Sequence, residues 1–97
     1  MTSQEIKESL DIELGAYKIN TEEIIEEINQ PVPNFKHILD MVVVNGDIEE
    51  SMHSVCRNLI KDVGEQGDCT QYVAENVSGM QEETINHLKR RCIYNGM

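Results

Sequence analysis

Three groups of side chains in this sequence have types and spacings that could support chemistry. The first is His53 and Cys56, three apart, with His87 and Cys92 further along. Residues at i and i+3 of a helix share a face, so the two side chains could meet. His53 could then take the proton of Cys56 and leave a nucleophilic thiolate, or the pair could be half of a metal site completed by His87 and Cys92. The surrounding pattern opposes both. Cys56 falls on the apolar face of its helix, where a thiol packs as a small hydrophobe, and His53 falls at the margin of that face. His87 and Cys92, five apart, share no face. A thiol enzyme or metal site using Cys56 and His53 is therefore the remote alternative, and the sequence predicts no enzyme, cofactor or metal.

The second group is acidic. Glu22, Glu23, Glu26 and Glu27 form one face of a short helix, and Glu5, Glu8 and Asp11 precede them. Residues 1–30 hold eight acids against Lys7 and Lys18, within a chain of formal charge -10. Such a surface repels phosphate backbones and anionic membranes and attracts basic protein patches. Direct nucleic-acid binding is thus disfavoured. Carboxylates along a helix could instead imitate the phosphate rows of a duplex, which carries one charge per roughly 1.7 Å of axis. The plain alternative is a solvated face with acids well placed near a helix N-terminus.

The third group, Lys89-Arg90-Arg91, is the only basic run. It could meet an acidic partner or phosphate. Equally, cations near a helix C-terminus complement the macrodipole by roughly 0.3–1 kcal/mol each.

The elements that must carry these groups read as helices. Ile6, Leu10, Leu14 and Tyr17 make one stripe at helical spacing, opened by a capping box at Thr2 and Glu5. Gly15 either ends this helix or is tolerated within it. Asn20-Thr21 reads as the cap of a second short helix, which Pro31 stops. Residues 1–30 are thus expected as an acidic helical hairpin, and Pro31-Val32-Pro33-Asn34 as a joint. From Phe35 a helix should run to Gly46 as its C′ residue, although Met41–Val44 also has strand character and Asn45-Gly46 is a hairpin signal. Asp47 then caps a helix bearing Ile48, Met52, Val55, Cys56, Leu59, Ile60 and Val63, which Gly64 ends. Gly67-Asp68 and Ser78-Gly79 punctuate what remains, so 35–97 should hold three or four helices. The segments before Gly46-Asp47 and Gly67-Asp68 echo each other at a shift of 21. Recurrent cap rules account for this without a repeat architecture.

The fold expected is all-α: a single domain over 1–97, a small irregular bundle of about five short helices. Its core is expected from Ile6, Leu10, Leu14, Ile24, Ile28, Phe35, Leu39, Val42, Met52, Val55, Leu59, Val63, Val73, Val77, Ile85 and Leu88. Three cysteines without a CxxC pair predict reduced thiols and a cytoplasmic setting. No signal peptide or membrane span is visible, the longest apolar run being Met41–Val44.

Other familiar patterns do not hold. An EF-hand loop around Gly67 would begin at Asp62, but Gly64 and Gln66 take the next ligand positions, and Val73 stands where a bidentate Glu belongs. Glu50-Ser51-Met52 resembles the Asp-Ser-Leu motif on which small helical carrier proteins bear phosphopantetheine. The resemblance spans three residues, its acid is Glu, and its helix begins earlier at Asp47, so no prosthetic group is expected. The sequence points to a non-catalytic regulator, adaptor or inhibitor binding another protein through its acidic helices. A nucleic-acid mimic is the first alternative, and a self-associating subunit, hence a homo-oligomer, the second.

Overall fold

The computed structural model describes the backbone of residues 3–96 and the side chains of residues 4–91. Thr2 of the expected capping box and the side chain of Cys92 lie outside them. Three long helices account for nearly all of the described chain: α1 (Ser3–Ile28), α2 (Phe35–Leu59) and α3 (Val63–Gly96). Met41–Val44 is helical, and there is no strand among the described residues.

The all-α class holds, but about five short helices do not. Residues 3–28 form one helix instead of a hairpin, and Gly15, Gly46, Gly67 and Gly79 all lie inside helices. None of the described glycines has a positive φ. An interior glycine costs a helix only about 1 kcal/mol relative to alanine. Burial of a continuous apolar seam outweighs that, because tertiary packing supplies most helical stability.

The true boundaries carry local caps. Asn34 caps α2 by accepting from the His37 amide at 3.1 Å, and its own amide donates to Glu27 Oε1 at 2.9 Å. Asp62, and not Asp68, opens α3: its Oδ1 accepts from the Glu65 amide at 2.9 Å. The Gln66 side chain reaches back to the Ile60 carbonyl across this turn. At the end of α1, which has no basic residue in its last turn, Arg91 of α3 donates to the Gln30 carbonyl at 3.0 Å. That places a cation at the negative end of the α1 dipole.

The chain runs up, down and up in a rod of 51 × 18 × 16 Å. Asp11 lies beside Tyr72 and Gln30 beside Arg91, so α1 and α3 are parallel, while Ser51 meets Glu13 on the antiparallel α2. The core has two parts. Ile6, Leu10, Leu14, Tyr17, Met52, Cys56, Val73 and Val77 fill one end; Ile24, Ile28, Ile38 and Met41 fill the other. Between them lies a polar layer. Asn45 Nδ2 donates to Thr21 Oγ1 at 3.3 Å, and Thr21 Oγ1 donates to the Tyr17 carbonyl at 2.8 Å.

Eight of the sixteen expected core residues are buried: Ile6, Leu10, Leu14, Ile24, Ile28, Met52, Val73 and Val77. Val55 and Leu88 pack half-buried against the clusters. Phe35, Leu39, Val42, Leu59, Val63 and Ile85 are exposed. Phe35, Leu59 and Val63 sit at helix ends, beyond the packed seam. Val42 flanks the seam of α2, which runs through Ile38, Met41, Asn45, Met52 and Cys56, and Leu39 lies about 120° from its centre.

The expectation of reduced cysteines is corrected. Cys56 and Cys69, 13 residues apart in sequence, form a disulfide with a Cα–Cα distance of 5.7 Å. It ties the end of α2 to the start of α3 across their tight turn.

Candidate functional site

Two surfaces have the makings of a site. The first is the outward face of α1. At 100° per residue, Glu5, Glu8, Ile12, Ile19, Glu23 and Glu26 fall within about 60° of one another, opposite the buried stripe. All six are exposed. Ile12 and Ile19 are 75% and 59% accessible, large values for isoleucines on a packed helix. They stand about 10 Å apart along the axis, with only Gly15 and Ala16 near that line between them. Acids bracket this short apolar centre at both ends: Glu5 and Glu8 before it, Glu22, Glu23 and Glu26 after.

Two of the expected acids accept hydrogen bonds from distant parts of the chain. Asp11 accepts from the Tyr72 hydroxyl at 2.8 Å. This bond, with some burial and the charge of Asp11, holds the Tyr72 phenol above its usual pKa. Glu27 is half-buried and accepts from the Asn34 amide, fixing the turn into α2. Of the predicted acidic set only Glu27 is half-buried; Glu5, Glu8, Asp11, Glu22, Glu23 and Glu26 are exposed.

The second surface is a groove of about 300 Å³ where α2 and α3 diverge over α1. Ile24, Val42, Ile85 and Leu88 give it apolar walls, and Thr21 and Asn45 belong to its lining. Gln81 of α3 donates to Glu49 of α2 at 3.2 Å across one end. Tyr17 also lines the groove; burial raises its phenol pKa, a hydrogen bond with Gln81 opposes the shift, and the charge of Glu49 adds to it. A second hollow, of about 340 Å³, lies beside the disulfide against Ile6, Leu10, Ile60 and Tyr72.

The other predicted residues are dispersed. His53 faces Glu49 at 3.7 Å. Cys56 has no thiol, being joined to Cys69. His87 lies toward the far end of the rod, with its Nδ1 3.1 Å from Asn29 Nδ2, so His53, Cys56 and His87 do not converge. No group of three or more His, Cys, Asp or Glu among the described residues could hold a metal ion. The basic run is divided: Lys89 and Arg90 are exposed, whereas Arg91 is half-buried against the end of α1.

Sequence reasoning missed the groove. Asn45 and Thr21 read as breakers, yet each sits at a seam position. The spacing Ile38, Met41, Asn45, Ile48, Met52 would have shown it had Asn45 been allowed inside a helix.

The fold and these surfaces define a small three-helix bundle stapled by one disulfide. No described helix is long and apolar enough to cross a membrane. The chain matches no family model, and no curated protein or solved structure is significantly similar to it.

Proposed function

We propose that this protein is a non-catalytic binding module that engages another protein through the outward face of α1. The observation that carries this reading is the exposed Ile12–Ile19 centre bracketed by Glu5, Glu8, Glu22, Glu23 and Glu26. A fitting partner is an amphipathic helix with an apolar middle and Lys or Arg at both ends. The apolar centre supplies contact, and the acids supply orientation and rapid encounter. A second copy fits this face poorly, since its acidic ends would meet acidic ends. A nucleic-acid mimic fits less well than a protein binder, because the isoleucines interrupt the carboxylate row. A non-catalytic role accords with Cys56 lying in a disulfide, and that disulfide favours an oxidising compartment over the cytoplasm.

The test is retention of proteins from host extract on the immobilised, oxidised protein. A partner should be held at low salt and released as salt rises, because exposed charges are screened within about 8 Å at physiological ionic strength. It should be lost both from Ile12→Ser/Ile19→Ser and from Glu22→Gln/Glu23→Gln/Glu26→Gln. Retention indifferent to both sets, or no retained protein at all, refutes the proposal.

A further inference from the structure

The geometry points to the groove between α2 and α3 as a binding site for a small organic amine, with its ammonium at Asn45 and Glu49 and its apolar body against Val42, Ile85 and Leu88. This site is separate from the outward face of α1.

Asn45 carries the inference. It is 5% exposed, and its Oδ1 is buried with no hydrogen-bond partner among the described residues. The layer around it explains why. Asn45 Nδ2 donates one of its two hydrogens to Thr21 Oγ1, whose own proton goes to the Tyr17 carbonyl, so no donor of this relay is directed at Asn45 Oδ1. Turning the amide over would not help, because it would set Nδ2 in place of Oδ1 and leave Thr21 without its donor. What is left over is an acceptor. A buried acceptor without a donor costs roughly 1–3 kcal/mol, so a partial rotation of the Asn45 amide that brings Oδ1 to the groove wall lets an incoming N–H relieve that cost.

Charge and shape select the class of donor. Glu49 lies one helical turn from Asn45, about 6 Å between Cβ atoms, and lines the same groove. Its carboxylate takes a hydrogen bond from Gln81 and has His53 alongside, which holds it in place at the edge of the groove. A neutral acceptor beside a carboxylate suits an ammonium, which has three donors and no acceptor. The chain's charge of -10 favours the approach of cations. The walls are aliphatic, and Ile85 and Val42 remain partly open to solvent with no described side chain closing over them. About 300 Å³ is at the lower end for small-molecule sites, which suits a compact amine and excludes a large cofactor.

Titration of the 15N-labelled, oxidised protein with 2-phenylethylamine tests this by amide chemical shifts. Saturable shifts at Val42, Asn45, Gly46, Glu49 and Ile85 are expected. 2-Phenylethanol, lacking the charge, and methylamine, lacking the apolar body, should each bind about tenfold more weakly or worse. Asn45→Leu and Ile85→Arg should each weaken binding at least about tenfold. Ile85 is nearly half exposed, so its variant retains the fold even if Asn45→Leu perturbs the polar layer. Equal affinity for the three probes overturns the inference, as do shifts centred on the acidic face of α1. So does a crystal structure in which a water on Asn45 Oδ1 stays in place at saturating amine.

Discussion

Replacing the interior glycines by alanine distinguishes three continuous helices from a chain of short ones, because the two arrangements predict opposite signs. If Gly46 were the C′ residue of a helix it would need the left-handed conformation, and alanine there would destabilise the protein by roughly 1 kcal/mol or more. In the structure Gly46 lies within α2, its φ is not positive, and a Cβ built on it meets nothing within 4 Å. The same is true of Gly15, Gly67 and Gly79. Each substitution should therefore gain up to about 1 kcal/mol, the difference in helix propensity. Gly67 lies toward one end of the rod, and Gly15, Gly46 and Gly79 lie near its middle on three different helices with open space around each, so the gains should add, to about 2–4 kcal/mol for all four. For a domain of this size each kcal/mol moves Tm by about 4–8 °C. Urea and thermal unfolding followed by circular dichroism at 222 nm would read the result. A loss of stability at Gly46→Ala or Gly79→Ala would refute the continuous helices and restore the breaks read from the sequence.

Two further outcomes are expected. Reduction of Cys56–Cys69, or Cys56→Ala with Cys69→Ala, should lower stability by about 3 kcal/mol on the chain-entropy model for a loop of this length, measured as a shift of the urea midpoint; an unchanged midpoint would mean that the pair is not bonded in solution. The phenols of Tyr72 and Tyr17 have pKa values raised above 10.0, so folding favours their protonated forms; their stabilisation is complete below pH 10 and is lost as pH climbs through the folded-state values. Tyr72→Phe should flatten part of that alkaline loss in unfolding curves between pH 9 and roughly 12, and an identical slope in the variant would show that the hydrogen bond to Asp11 does not perturb this phenol.

The helical class was legible because one period dominates the chain. The stripe Ile6, Leu10, Leu14, Tyr17 is buried as its spacing requires. Helix number was not legible, since glycine, Asn-Gly and Asn-Thr are real stop signals whose penalties of about 1 kcal/mol are visible locally, while the seam that overrides them is assembled from all three helices. The same misreading displaced the core of α2. With Asn45 read as a boundary, the spacing puts Phe35, Leu39 and Val42 in the core, to one side of the Ile38 and Met41 that are buried. The acidic face was legible as composition. That Asp11 and Glu27 are bound internally depends on Tyr72 and Asn34, whose positions only the packed bundle sets. Pairing of Cys56 with Cys69 was equally hidden, because a separation of 13 becomes a close approach only when α2 and α3 turn back on each other.

The Thr21–Asn45 layer has one more consequence, for uniqueness of alignment. Long antiparallel helices with repeating aliphatic seams can slip past one another by a heptad, about 10 Å, and still interdigitate. Here such a slip would move Asn45 opposite Leu14 or Ile28, and Thr21 opposite Met52 or Ile38. The amide would then sit among hydrocarbon with neither end satisfied, at roughly 1–3 kcal/mol per stranded group. One weak spot in the middle of the rod thereby locks two helices that their greasy residues alone would leave free to slide.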